Sequence, residues 1–168
     1  MTELVLPNDT NTLGNLMGGR LMHLMDVCAA IAAQRHANRT VVTASVDSVD
    51  FRAAVVLGEV VVLEAVVTRA FRTSMEVEVE VRAENNLTGA RRHSNTAYLT
   101  FVAVDDAGAP TPVPPVEPQC DAEQARYDAA GRRRELRLVL AGRLALADAD
   151  ALRDHLADLS LDPPQAGS

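Results

Sequence analysis

A single carboxylate stands inside a strongly apolar run. Residues 14–26 read GNLMGGRLMHLMD, and VCAAIAAQRHA follows. Burying Asp26 beside Ala29, Ala30 and Ala33 costs several kcal/mol unless partners offset it. Helix aspartates ordinarily point to water or pair along the helix. Arg20 and Arg35 are out of register for i±3 or i±4 pairing, whereas His23 is in register. The other reading is a carboxylate kept for acid–base work. Gly18 and Gly19 open the same helix, so its first N–H groups are unshielded at the positive end of the helix dipole. Such groups suit an oxygen acquiring negative charge, as in acyl transfer. A bare turn before a helix is the plainer reading of Gly-Gly.

Spacing constrains how these groups cooperate. From Gly19 to Asp26 is two helical turns, a rise of roughly 10 Å, and Asn15 lies farther back. One reacting carbon hardly reaches both ends within one chain. A site combining the loop of one protomer with the aspartate of another removes the difficulty and predicts a two-fold dimer with two equivalent sites.

The elements that position Asp26 are legible. ELVL forms a short first strand and PNDTNTLGN a loop. From Gly18 to about Asn38 the pattern is helical and apolar nearly all round, as in a buried helix. TVVTASVDSVDF and VVVLEAVVTRAF read as strands. In SMEVEVEVRAE, Met75, Val77, Val79, Val81 and Ala83 alternate with Glu76, Glu78, Glu80, Arg82 and Glu84, giving one buried and one wet face. RRHSNTAYLTFVAVD is a further strand, and RTS fits a hairpin link. The sheet is the only large apolar surface able to cover the helix. The expected class is therefore α+β, a hot-dog arrangement with a long central helix wrapped by a curved antiparallel sheet. DDAGAPTPVPPVEP cannot continue a sheet and reads as an extended connector. A helical C-terminal extension follows, with Gly131 and Gly142 as weak points and DPPQAGS as a frayed end. The expected division is a domain over 1–108, then connector and extension over 109–168.

Bulk properties narrow the partners. The net charge of −7 argues against nucleic acid or an anionic membrane as main partner. No stretch is apolar enough to span a bilayer, and the N-terminus lacks a secretory pattern. Cys28 and Cys120 are isolated, with no metal-ligand spacing, and fit a reducing compartment. The expected location is cytoplasmic.

Taken together, PNDTNTLGNLMGGRLMHLMDVCAAIAAQRHANRTVVTASVDSVDF, FRTSMEVEVEV and NTAYLTFVAVD resemble the hot-dog acyl-CoA thioesterases of the bacterial YciA and mammalian brain acyl-CoA hydrolase type. The resemblance runs from about residue 5 to 105. It implies hydrolysis of acyl-CoA to a free carboxylic acid and CoA, without metal or organic cofactor. It also implies a catalytic pair from opposite protomers, Asn15 in the GN loop and Asp26 in the helix. Asp26 would activate water, direct attack being the alternative, while Asn15 orients water or carbonyl and the Gly19 N–H polarises the thioester oxygen. Arg72, Thr73 and Ser74 correspond to the turn on the nucleotide side of CoA, Arg72 otherwise being a solvated hairpin residue. Ser45 lies in the strand flanking the pantetheine arm. Asp47 and Asp50 read better as wet-face or edge residues. A homodimer is the expected minimum unit, and the resemblance extends it to a hexamer, a trimer of dimers. In departure from the family, Ala53-Ala54 replaces a proline-containing turn, and the tail beyond about Leu138 has no counterpart. Arg132, Arg133, Arg134 and Arg137, just before that point, read as a solvated helix face. The main competing function is a non-catalytic acyl-CoA-binding regulatory protein of the same fold. A dehydratase, which would pair a histidine with a carboxylate at the acyl β-carbon, finds no matching motif in the strands.

Overall fold

The computed structural model describes residues 1–161 apart from Ser48, Asp50 and Arg52. The expectation for Asp50, and that for the end DPPQAGS, therefore lie outside the described residues. Two compact units divide the chain, Met1–Val116 and the residues from Glu117 on.

The first unit is one five-stranded antiparallel sheet and one long helix. The strands are β1 (Thr2–Leu4), β2 (Thr40–Val46), β3 (Val60–Ala70), β4 (Ser74–Glu84) and β5 (Arg91–Val104), in spatial order β1-β3-β4-β5-β2. The helix α1 spans Gly18–Ala37 and ends at Asn38, whose φ of 49° supplies the left-handed cap. Leu21, Leu24, Met25, Cys28, Ala29, Ala33 and Ala37 of α1 are buried in one cluster with Met75, Val77, Val79, Val81 and Ala83 of β4 and Ala97, Leu99, Phe101 and Ala103 of β5. The small alanines of α1 let helix and sheet approach closely. This is the hot-dog arrangement. The alternation in β4 places every predicted apolar residue inward, all at 0% exposure. Each such valine contributes about 1.5 kcal/mol or more by burial.

The wet face differs from expectation at one position. Glu76 is 1% exposed. It sits between Arg69 of β3 and Thr100 of β5 in register, and its Oε1 accepts the Thr68 hydroxyl at 2.8 Å. Period-two alternation reports which side a residue faces, and says nothing of what covers that side. TVVTASVDSVDF was expected to be extended to Phe51, but β2 stops at Val46. The proline-rich segment stays with the first unit as far as Val116. Val104 bridges Pro110, Thr111 N–H donates to Ala103 O at 2.9 Å, and Val113 N–H donates to Arg72 O at 3.2 Å.

Glu59 and Arg92 fasten the segment before β3 to β5. The Arg92 guanidinium donates to both Glu59 oxygens at 2.8 and 2.9 Å. Burial alone would raise the Glu59 carboxyl, but hydrogen bonds from Arg92 and the Val56 N–H, with the Arg92 charge, outweigh it and hold the group below the usual glutamate value. A carboxyl lowered in the folded state stabilises above its unfolded pKa, and that contribution is lost as pH falls through the folded value. Glu59→Gln is expected to lower the melting temperature at pH 7, the difference from wild type closing as pH falls below about 4. Thermal denaturation of both proteins across pH 3–7 measures this.

The second unit contains α2 (Asp121–Leu140) and α3 (Asp150–Leu161). Gly131 is buried within an unbroken α2, whereas Gly142, at φ 66°, lies in the turn after it. Glu135 accepts the Leu152 N–H at 2.8 Å, joining the two helices. Arg133, Arg134 and Arg137 are half-buried and each has an interaction partner, so this is not the freely solvated face that charge alone implied.

Candidate active site

Asp26 lies on the second turn of α1 after its glycine start, half-buried. Its partner is a strand hydroxyl: Thr43 Oγ1 donates to Asp26 Oδ1 at 2.8 Å. His23, the helical partner considered from spacing, is exposed. Thr43 closes the unbroken register of β2, opposite Phe101, and shares its face with Val41 opposite Ala103. Between Thr43 and Ser45 the register of β2 against β5 slips, with Thr43 opposite Phe101, Ser45 opposite Thr100 and Val46 opposite Leu99. Directly opposed residues share a face, and a slip of one residue exchanges faces. Phe101 and Leu99 face the core, so Thr43 and Val46 face α1. Ser45 goes with Thr100 to the other side, away from Asp26. Sequence reasoning missed Thr43. The signal available was a threonine in a strand, but the adjacent Val41 and Val42 leave the inward face of that strand undecided from sequence.

The start of α1 carries free donors. Leu21 N–H makes the first helical bond, to Met17 O at 3.0 Å. Met17 supplies no side-chain cap. Among the described residues the N–H groups of Gly18, Gly19 and Arg20 have no partner. A side chain at Gly19 would meet nothing within 4 Å, whereas one at Gly18 would press on the Phe51 ring at 3.3 Å. Gly18 thus accommodates Phe51, and Gly19 leaves its donor accessible.

The preceding loop is tightly formed. Asn11 Oδ1 accepts the Leu13 N–H at 2.9 Å and the Asn15 N–H at 3.1 Å, and Gly14 turns the chain at φ 75°. Asn15 bridges Val56 through its backbone, and its side-chain amide has no partner among the described residues. Asp9 Oδ1 accepts from Arg20 Nε at 3.0 Å, tying the loop to α1.

Arg72 and Thr73 form the link before β4. Arg72 is exposed, and Thr73 O accepts the Ala103 N–H at 3.0 Å. Ser74 opens β4 opposite Val102, which is opposite Val42 of β2. The next row across the sheet is Met75, Phe101 and Thr43. The hairpin and the Asp26–Thr43 pair therefore share one end of the sheet, separated by two strand spacings, about 10 Å. Asp47 is half-buried and has an interaction partner, its N–H donating to Tyr98 O at 2.9 Å.

The site thus joins a helix carboxylate held by a strand hydroxyl to free N–H groups two turns earlier. Residues 13–90 match the thioesterase superfamily. An uncharacterized acyl-CoA thioester hydrolase of Bacillus subtilis is 45% identical over 132 residues, covering 79% of this chain and 77% of that protein. The chain belongs to the thioesterase superfamily. A hexameric acyl-CoA thioesterase superposes with a TM-score of 0.81 at 49% identity, covering 87% of this chain and 92% of that one. The acyl-CoA hydrolase of Staphylococcus aureus, solved with butyryl-CoA, CoA and CoA disulfide, superposes at 0.79 with 38% identity, covering 94% and 93%. Alanine variants of that hydrolase replace an asparagine, an aspartate fifteen residues later and a threonine seventeen residues after that.

Proposed function

We propose that this chain hydrolyses acyl-CoA thioesters to a carboxylic acid and CoA, with Asp26 as general base. The Asp26–Thr43 hydrogen bond carries the reading. Thr43 fixes one carboxylate oxygen and leaves the other to take a proton from water. The hydroxide attacks the thioester carbonyl carbon, and the Gly19 N–H supports the oxyanion. Collapse breaks the C–S bond, and the departing thiolate takes the proton back from Asp26. The step uses no metal or organic cofactor.

The spacing of the Staphylococcus aureus variants bears on the third participant. Asn11, Asp26 and Thr43 of this chain stand fifteen and seventeen residues apart. Asn15 does not fit that spacing. Asn11 is accordingly the amide assigned to the carbonyl or the attacking water, with Asn15 holding the loop against Val56. The amide would come from the opposite protomer. In support, β2 is an edge strand carrying exposed Val42 and Val46, the kind of edge that soluble proteins cover. We place the CoA phosphates at Arg72, Thr73 and Ser74, where Arg72 is an exposed guanidinium suited to bidentate phosphate contact. A homodimer is the minimum unit, and the hexamer of the structural relative is the larger assembly proposed.

Thiol release from acyl-CoA by the purified chain tests the function. Binding of CoA esters without release would leave a regulatory binding protein in its place. Thr43 is a positioning residue in this scheme. Thr43→Val is expected to lower kcat about tenfold or more, and Thr43→Ser to restore most of it. Equal loss in both variants would mean the hydroxyl is not what matters.

A further inference from the structure

The proline-rich segment after β5 runs as a strap across the link that carries Arg72. Thr111 N–H donates to Ala103 O at 2.9 Å, and the chain then leaves β5. Val113 N–H donates to Arg72 O at 3.2 Å, and the Val113 side chain packs partly buried against the core. One residue on, Pro114 O accepts the ring Nε2–H of His36 at 2.9 Å. His36 is half-buried in the last turn of α1. The Arg72 carbonyl is thus joined to the end of α1 through Val113 and Pro114. The next carbonyl, Thr73 O, is held by the Ala103 N–H at 3.0 Å, and the Phe71 N–H closes the turn on Ser74 O at 2.7 Å. The backbone around Arg72 is therefore fixed while its side chain is exposed.

We propose that His36 is a positioning residue for CoA binding, holding the strap that sets the Arg72 guanidinium against the phosphates. The proposal rests on the thioesterase reading above and on the placement of the CoA phosphates at Arg72. His36 stands ten residues beyond Asp26, about 15 Å along α1, so it is out of reach of the reacting atoms. An exposed arginine loses rotamer freedom when it grips a phosphate. A backbone held in advance leaves only that side chain to order. Pro110, Pro112, Pro114 and Pro115 stiffen the strap, so the hold of His36 on Pro114 is carried to Val113 and on to Arg72. Fastened at β5 alone, the strap would tie the Arg72 carbonyl to a loose end.

The test measures KM for butyryl-CoA and for S-butyryl pantetheine, which carries the same thioester and no phosphate. The proteins compared are wild type, His36→Ala, His36→Gln, Arg72→Ala and the double variant of His36→Ala with Arg72→Ala. His36→Ala is expected to raise KM for butyryl-CoA roughly threefold to tenfold, the range of one hydrogen bond, and to reduce the preference for the CoA ester over the pantetheine ester by the same factor. His36→Gln, whose amide Nε2–H reaches the same carbonyl, should restore most of that preference. On the Arg72→Ala background, His36→Ala should add less than about twofold, because its effect passes through the guanidinium. Loss of turnover of both esters alike in His36→Ala, an unchanged preference, or His36→Gln as impaired as His36→Ala would overturn the positioning role and leave the hydrolase intact. An Arg72→Ala enzyme that keeps the wild-type preference would overturn it together with the phosphate placement. No thiol release from either ester by wild type would overturn the hydrolase reading and this proposal with it.

Discussion

Asp26→Asn is expected to lower kcat for thioester hydrolysis by two to four orders of magnitude while leaving KM within a few-fold of wild type. The substitution keeps size and planarity, and the amide oxygen still accepts the Thr43 hydroxyl, so the contact at 2.8 Å has a counterpart in the variant. What is lost is the ability to take a proton. Because the position is half-buried and not sealed in the core, an amide is tolerated there without an unsatisfied buried group, and the melting temperature should stay close to wild type. The pairing of a large kcat effect with little change in stability or KM distinguishes a base from a structural carboxylate. A structural Asp26 would show the reverse, a lowered melting temperature with kcat falling only in proportion to unfolded protein. Thiol release and thermal denaturation on the same preparations decide between them. Should kcat survive in the asparagine variant, the base lies elsewhere and the Asp26–Thr43 contact is a strut.

How far the sequence carries this arrangement depends on the kind of contact. The helix from Gly18, the alternation of β4 and the packing of one against the other follow from periodicity, because burial of apolar faces is a local pattern repeated over many residues. Asp26 stands out for the same reason, as the one charge in an apolar stretch. Thr43 does not stand out, because the adjacent Val41 and Val42 leave open which face of β2 is inward, and only the pairing of Thr43 opposite Phe101 decides it. Ser45 illustrates the complement: two positions from Thr43, it would share its face in a regular strand, and the bulge turns it away. Glu76 fails on different grounds, its alternation being right and its surroundings unspecified by its own strand. The loop asparagines are the least legible. Asn11 and Asn15 both occupy a glycine-containing loop before the helix, and either amide suits an electrophilic role by type. The proposed choice between them rests on spacing, Asn11 standing fifteen residues before Asp26 as the varied asparagine and aspartate of the Staphylococcus aureus hydrolase do, while Asn11 Oδ1 holds two backbone N–H groups and the Asn15 backbone bridges Val56.

That distinction yields the second large effect. Asn11→Ala is expected to cost about a hundredfold or more in kcat, the range for removing one donor aimed at a developing oxyanion. Asn15→Ala should cost less than tenfold. Asn11 also builds its loop, so part of any loss would be structural; Asn11→Asp, which keeps the Oδ1 acceptor for Leu13 and Asn15 N–H but removes the amide donor, separates the two. If the loss follows the donor, Asn11→Asp should be as slow as Asn11→Ala while melting nearer to wild type. Complementation then asks which protomer supplies the amide. Inactive Asn11→Ala and Asp26→Ala chains, co-expressed with different tags, form mixed dimers. With a site shared across a two-fold axis, each mixed dimer holds one site with both changes and one with neither, so random mixing restores about a quarter of wild-type sites. With a site contained in one chain, every site in every dimer lacks one group and activity stays at the level of the single variants. Recovery would therefore fix the loop of one protomer over the helix carboxylate of the other, the arrangement proposed from the roughly 10 Å of helix between Gly19 and Asp26.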